Sequence, residues 1–210
     1  MLNDLSQRAY SNYETLQNSY DLALLCKDLD GDFVECGVAA GSQVAAMYRA
    51  VPDKKIWLFD SFEGIPLASK YDTSQPGIGV ISHDVNGYLL TTSGITAVTQ
   101  EQVKQHFKQW GVNDSNFEYV KGWFENTVPE NKIDTISLLR LDGDLYNSTY
   151  VCLEHLYPKL IKGGWLIIDD YGLDGCRLAV NEYFNNYIFG GMPEYTIVPN
   201  TKTVIYLQKR

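Results

Sequence analysis

The sequence has no CxxC pair, no apolar run near the roughly 20 residues a membrane helix needs, no surplus of basic residues, and no internal repeat or low-complexity tract. Each absence excludes something. The four cysteines (Cys26, Cys36, Cys152 and Cys176) lie far apart and mostly within apolar segments, so they read as small buried thiols rather than a disulfide framework or a zinc site. Without a long apolar run the chain is not expected to span a membrane. With 17 Lys and Arg against 26 Asp and Glu, the net charge is -9, the wrong sign for a phosphate-backbone partner, and no nucleic-acid role is expected. The opening, MLNDLSQRAYSNYETLQ, has neither the basic start nor the apolar middle of a secretory signal, and a cytoplasmic location is the default expectation.

What is present fits one globular domain over residues 1–210, with 45% apolar and 20% charged residues. Its most informative stretch is Leu139 to Asp170, LRLDGDLYNSTYVCLEHLYPKLIKGGWLIIDD, which reads as strand, helix, strand. One apolar run (Ile136, Leu138, Leu139, Leu141) stops at Asp142; a second (Trp165 to Ile168) stops at Asp169 and Asp170. A strand-helix-strand crossover makes the two strands parallel neighbours, so the three acids converge at one sheet edge. Arg140 is expected to point to the opposite face from its neighbours, which leaves a hard divalent cation as the counter-charge.

The remainder alternates in the same way. Residues 1–30 form a helical segment, with a helix over 4–29 capped by Asp4. Phe33 to Cys36 is a buried strand, followed by the glycine loop GVAAGS, a helix from Gln43 to Ala50, and the strand IWLFD closing at Asp60. Residues 61–97 are rich in Gly, Ser, Thr, Pro and Asn without periodicity, and read as a long lid or substrate loop. Thr99 and Gln102 form a capping box opening a helix that Gly111 ends. FEYVKG is a third strand, WFENTVPENK a loop, Ser148 to Ile161 a helix, residues 174–188 another, and YTIVP with TVIYLQK a terminal antiparallel hairpin. The fold class is α/β: a mostly parallel sheet with helices on both faces, whose ligands bind beyond the carboxyl ends of the strands.

The loop from Glu35 to Ser42 lets a backbone approach a ligand closely, but lacks the GxGxxG spacing of a pyrophosphate site. A ligand without phosphate suits it better. Asp60 stands where an acid accepts hydrogen bonds from ribose hydroxyls.

The blocks GDFVECGVAAGS, WLFDSFEGIP, KGWFENTVP, LRLDGDLYNST and LYPKLIKGGWLIIDDYG, in this order, resemble the macrocin O-methyltransferase family over about Asp32 to Val180. The resemblance implies a Rossmann-like class I S-adenosylmethionine-dependent methyltransferase fold with a reversed last strand. It also implies S-adenosylmethionine and Mg2+ as cofactors, and methyl transfer to a hydroxyl of a sugar or related natural product. Carried over by motif, Asp142, Asp169 and Asp170 resemble the family's magnesium ligands. Glu35, Cys36, Gly37, Gly41, Ser42, Asp60, Ser61, Phe62, Gly122 and Trp123 resemble its cofactor-binding positions. Asp144 is read as a cap of the following turn. A homo-oligomer is compatible with this reading, and the insertion from Leu67 to Ala97 has no counterpart among the matching blocks.

A sugar hydroxyl is a poor nucleophile, so the reaction needs an oriented acceptor and a proton acceptor, for which Asp142 and His83 are the candidates. Two other readings stand beside it. Asp142-Gly143-Asp144 has the DxD spacing of a metal-dependent glycosyltransferase, and a non-catalytic Rossmann-like binding protein would keep the same pocket.

Overall fold

The computed structural model describes residues 2–7, 9–10, 12–73, 96–187 and 191–210. His83 and most of the 61–97 insertion therefore lie outside the described residues. The amino-terminal segment holds two helices where one was expected, α1 (Asn3–Ser6) and α2 (Tyr13–Leu25). Asn12, not Asp4, caps the longer one, its side chain accepting from the Thr15 amide at 3.1 Å. Asp4 lies in the first turn of α1 and binds the guanidinium of Arg49. Leu16, Ser19, Leu22 and Ala23 make the buried face of α2, whereas Tyr13 and Leu24 are exposed.

From there the alternation proceeds as strand β1 (Asp32–Cys36), helix α3 (Ser42–Ala50), strand β2 (Ile56–Asp60), helix α4 (Gln100–Gln109) and strand β3 (Phe117–Lys121). The Thr99–Gln102 capping box opens α4, with both reciprocal bonds formed. The WFENTVPENK segment, expected as loop, contains a short helix α5 (Phe124–Thr127). Strand β4 (Ile136–Leu141) follows, then helix α6 (Tyr146–Leu156), a 3-10 turn (Tyr157–Lys159), strand β5 (Leu160–Ile168) and helix α7 (Asp174–Tyr187). Helix α6 stops earlier than the sequence suggested because Pro158 cannot continue it, and β5 starts earlier, at Leu160. The extra residues around Gly163 and Gly164 are absorbed by a register shift between Ile136↔Leu160 and Leu138↔Trp165. A short β6 (Thr196–Ile197) and β7 (Ile205–Gln208) complete the described elements as an antiparallel pair.

The seven strands run in the order β3-β2-β1-β4-β5-β7-β6. The four pairings from β3 to β5 are parallel, and β7 runs antiparallel to β5. Side chains alternate between two cores. Phe33, Ile56, Leu58 and Leu138 face the α2, α3 and α4 side, while Val34, Cys36, Phe59, Leu139 and Leu141 face α6 and α7. The strand order reverses between β1 and β4, so the switch-point crevice opens where those two parallel strands end. No helix among the described residues is long and apolar enough to cross a membrane.

Candidate cofactor and metal-binding site

The crevice is a cleft of about 400 Å³, walled by the ends of β1, β2, β4 and β5 and by the start of α5. Gly37 closes β1 with φ +93°, and a Cβ there would lie 1.8 Å from the carbonyl oxygen of Asp142. Only glycine lets the two strand ends come this close, an approach sealed by the Asp142 amide donating to the Cys36 carbonyl at 2.8 Å. Asp60, at the end of β2, accepts from the amides of Val38 (2.6 Å) and Ala39 (3.1 Å) through one oxygen, and from Phe62 (2.6 Å) through the other. It thus ties the glycine loop to β2 while facing the cleft.

Glu35, Gly37, Ser42, Asp60, Ser61, Gly122 and Trp123 all line the cleft, as do Asp142, Asp169 and Asp170. Cys36, Gly41 and Phe62 do not. Cys36 and Phe62 are packed into the core, and Gly41 is the left-handed turn that starts α3 under Phe107. Tyr10, Thr96, Glu125 and Ser148 line the cleft without having been singled out in the sequence. Tyr10 and Thr96 come from turns, Glu125 from a short helix and Ser148 from the first turn of α6, and none stands in a motif whose spacing signals a site.

Arg140 departs most from expectation. Its side chain is 1% exposed, and it lies on the same sheet face as Glu35, its register partner on β1. One guanidinium nitrogen donates to Glu35 Oε1 (2.9 Å) and Asp142 Oδ2 (2.7 Å), and the other to Asp169 Oδ1. The counter-charge for Asp142 and Asp169 is therefore supplied within the protein, and the argument for a cation from unopposed acids fails for those two residues. Asp144 and Asp170 differ, since no Lys or Arg among the described residues pairs with either. Asp142, Asp144 and Asp170 offer carboxylate oxygens that all lie within 4.8 Å of one another. Asp144, read from sequence as a cap, is thus a member of the closest carboxylate group, and Asp169 faces the guanidinium.

One guanidinium cannot neutralise five neighbouring acids. Burial pushes the Asp144 carboxyl up to about 7, reinforced by Asp142, Asp169 and Asp72. Burial and Asp142 do the same to Asp169, also to about 7, against the pull of Arg140. Asp170 is raised well above the usual carboxylate range by burial and by Asp144. Glu35, fully enclosed, is raised to about 8 by burial despite Arg140, and its Oε2 has no hydrogen-bond partner among the described residues. Such a cluster is suited to a hard divalent ion, which removes the mutual repulsion.

A glycine loop closing β1, an acid closing β2 and carboxylates closing β4 and β5, on a sheet with an antiparallel β7, define the class I S-adenosylmethionine-dependent methyltransferase fold. The structure of the O-methyltransferase NovP superposes with a TM-score of 0.78 at 30% identity, covering 96% of this chain and 82% of that one. The calicheamicin methyltransferase CalS11 shares the fold with a TM-score of 0.73 at 21% identity, covering 96% and 80%. The chain belongs to the macrocin O-methyltransferase (TylF) family, whose sequence profile matches residues 12–189. Among curated relatives, a Streptomyces olivaceus 8-demethyl-8-(2,3-dimethoxy-alpha-L-rhamnosyl)-tetracenomycin-C 4'-O-methyltransferase is 39% identical over 171 residues, 78% of this chain and 62% of that protein. The demethyldecarbamoylnovobiocin O-methyltransferase of Streptomyces niveus is 38% identical over 162 residues, 74% of this chain and 59% of that protein. The chain spans about three fifths of the length of these relatives.

Proposed function

We propose that the protein is an S-adenosylmethionine- and magnesium-dependent O-methyltransferase acting on a hydroxyl of a sugar or sugar-bearing natural product. The observation that carries this is the union, in one cleft, of the Gly37–Ser42 loop and Asp60 with the Asp142–Asp144–Asp170 carboxylate group. Membership of a family whose curated relatives are named as O-methyltransferases of a rhamnosyl-tetracenomycin and of a novobiocin precursor supports the acceptor class. The glycosyltransferase reading of Asp142-Gly143-Asp144 loses its footing in the same family membership.

The residues present fit both groups. Glu35 Oε2, buried without a partner and facing the cleft, is an acceptor for a cationic or N–H group of the cofactor. The backbone at Gly37 leaves the floor open, and Trp123 gives an aromatic wall beyond Asp60. Bound, S-adenosylmethionine supplies an electrophilic methyl group, and the divalent ion supplies positive charge that orients acceptor oxygens. Asp142, Asp144 and Asp170 would hold the ion. Asp142, in the ion-binding group and lining the cleft, is the candidate proton acceptor for an acceptor hydroxyl. His83 remains the other candidate base.

The test is titration with S-adenosylhomocysteine and with UDP, then turnover of labelled cofactor on a panel of glycosides bearing vicinal hydroxyls, with and without EDTA. Saturable binding of S-adenosylhomocysteine alone, and turnover abolished by chelator, are expected. Full turnover in EDTA refutes the metal part, and binding of UDP in preference refutes the cofactor part.

A further inference from the structure

The loop Asp142–Leu145 carries two of the three clustered carboxylates, yet its own sequence does little to hold it. Asp144 has a left-handed backbone (φ 57°), and Leu145, which precedes α6, contributes no side-chain cap. One anchor is visible at Asp144, whose amide donates to Asp170 Oδ2 at 3.0 Å. The other comes from 74 residues away. Asp72, only 6% exposed, accepts through Oδ1 from the Tyr146 amide, the first residue of α6, at 2.8 Å.

Everything around Asp72 serves that bond. Its second oxygen accepts from the amide (2.7 Å) and hydroxyl (2.6 Å) of Ser69, which closes the turn and aims the carboxylate. The ring of Tyr71 lies 4.4 Å from that of Tyr146, centroid to centroid. Thr73 hydrogen-bonds Asp174 at the start of α7. Gly175, also in that first turn, leaves room for Asp72, since a Cβ there would lie 1.8 Å from Asp72 Oδ1. A buried carboxylate, a clash-free glycine facing it and an otherwise uncapped helix form one device.

We propose that Asp72 is a positioning residue of the ion site: it caps α6 from the described first part of the insertion and so fixes the Asp142–Asp144 loop in its ion-binding shape. The proposal rests on the metal-dependent reading above. Asp72 does not line the cleft; its tether runs through the backbone of Tyr146 and Leu145 to Asp144, and because its charge also reaches Asp144 through space, Gly175→Ala, which keeps that charge, isolates the tether. The β1–α3 loop and Asp60, which carry the cofactor side, make no contact with it in the interactions described for Asp72.

The experiment compares the full chain with its Asp72→Ala, Asp72→Asn, Gly175→Ala and Asp72→Ala/Gly175→Ala variants. Mn2+ affinity is read by electron paramagnetic resonance, S-adenosylhomocysteine affinity by calorimetry, and amide hydrogen exchange over residues 143–149 in the metal-free protein. Asp72→Ala and Gly175→Ala are each expected to weaken Mn2+ about tenfold, the low end for loss of an outer-shell support. Exchange over 143–149 should rise and S-adenosylhomocysteine affinity should stay within about twofold. The double variant should bind Mn2+ no more weakly than either single one, because both remove the same contact. Asp72→Asn, which keeps an acceptor for the Tyr146 amide, should lie between wild type and Asp72→Ala and keeps the test informative if the alanine variant does not fold. Wild-type Mn2+ affinity in Asp72→Ala, or equal weakening of both ligands, overturns the proposal. A wild-type chain that binds no Mn2+ refutes the metal reading; hydrogen exchange then separates the cases, since a tether that holds the loop still raises exchange when cut, and unchanged exchange refutes the tether as well.

Discussion

Replacing Arg140 with methionine tests the electrostatic account of the site. The substitution keeps an unbranched side chain and removes the guanidinium that Glu35, Asp142 and Asp169 share. Removing one partner of a buried ion pair costs about 3–5 kcal/mol, because the remaining charge is left buried and unopposed. For a chain of this size each kcal/mol lowers Tm by about 2–4 °C, so the expected fall is roughly 6–20 °C. The sign with pH separates electrostatics from packing. With the guanidinium gone, Glu35 and Asp169, already raised by burial, are raised further; an acid whose folded-state value exceeds its unfolded value loses stability as pH climbs between the two. The Tm deficit of Arg140→Met should therefore be smaller at pH 5 than at pH 8, and millimolar Mg2+ should recover more Tm in the variant than in wild type. Thermal unfolding followed by circular dichroism, at both pH values with and without Mg2+, reads all four conditions. A deficit below about 1 kcal/mol, or one of the same size at both pH values and unmoved by Mg2+, refutes the reasoning.

The same linkage gives a prediction for the unaltered protein. With Asp144 and Asp169 raised to about 7 in the fold, the metal-free chain binds more protons folded than unfolded between pH 4 and 7, so its Tm should fall across that window; a Tm that rises there contradicts the assignment. Gly37→Ala forces a left-handed backbone on a residue with a Cβ, about 1–2 kcal/mol. It also drives that Cβ into the Asp142 carbonyl, adding overpacking of about 1–3 kcal/mol. Chemical denaturation should show the sum, and affinities for S-adenosylhomocysteine and Mn2+ should fall together because the glycine loop and Asp142 are displaced as a pair; loss of only one ligand goes against that geometry.

Much of the architecture was legible because its signals are local. Apolar runs ending in acids marked β2, β4 and β5, the Thr99–Gln102 pair marked the start of α4, and βα alternation implied the parallel sheet. The amino-terminal helix was misjudged because Asn12 begins a new helix where the apolar spacing alone suggests continuity. Cys36 and Phe62 adjoin cleft residues in sequence, but strand alternation and the positive φ of Phe62 (55°) turn them into the core. Arg140 does point to the opposite face from Leu139 and Leu141, as period two requires; what the sequence reading missed is that Asp142, two residues on, and Glu35, its register partner on β1, share that face and make it their counter-charge.

The sequence alone determined that acids would gather at the carboxyl edge of a mostly parallel sheet beside a glycine loop, because strand ends and glycine turns are set by residues adjacent in the chain. Only the tertiary structure decided how those acids are shared. Glu35 meets Arg140 across a strand pairing, Asp144 rather than Asp169 joins Asp142 and Asp170, and Asp72 reaches the start of α6 from a distant turn. Each depends on which strands neighbour one another and on burial of charge, quantities that exist only once separate segments have been brought together.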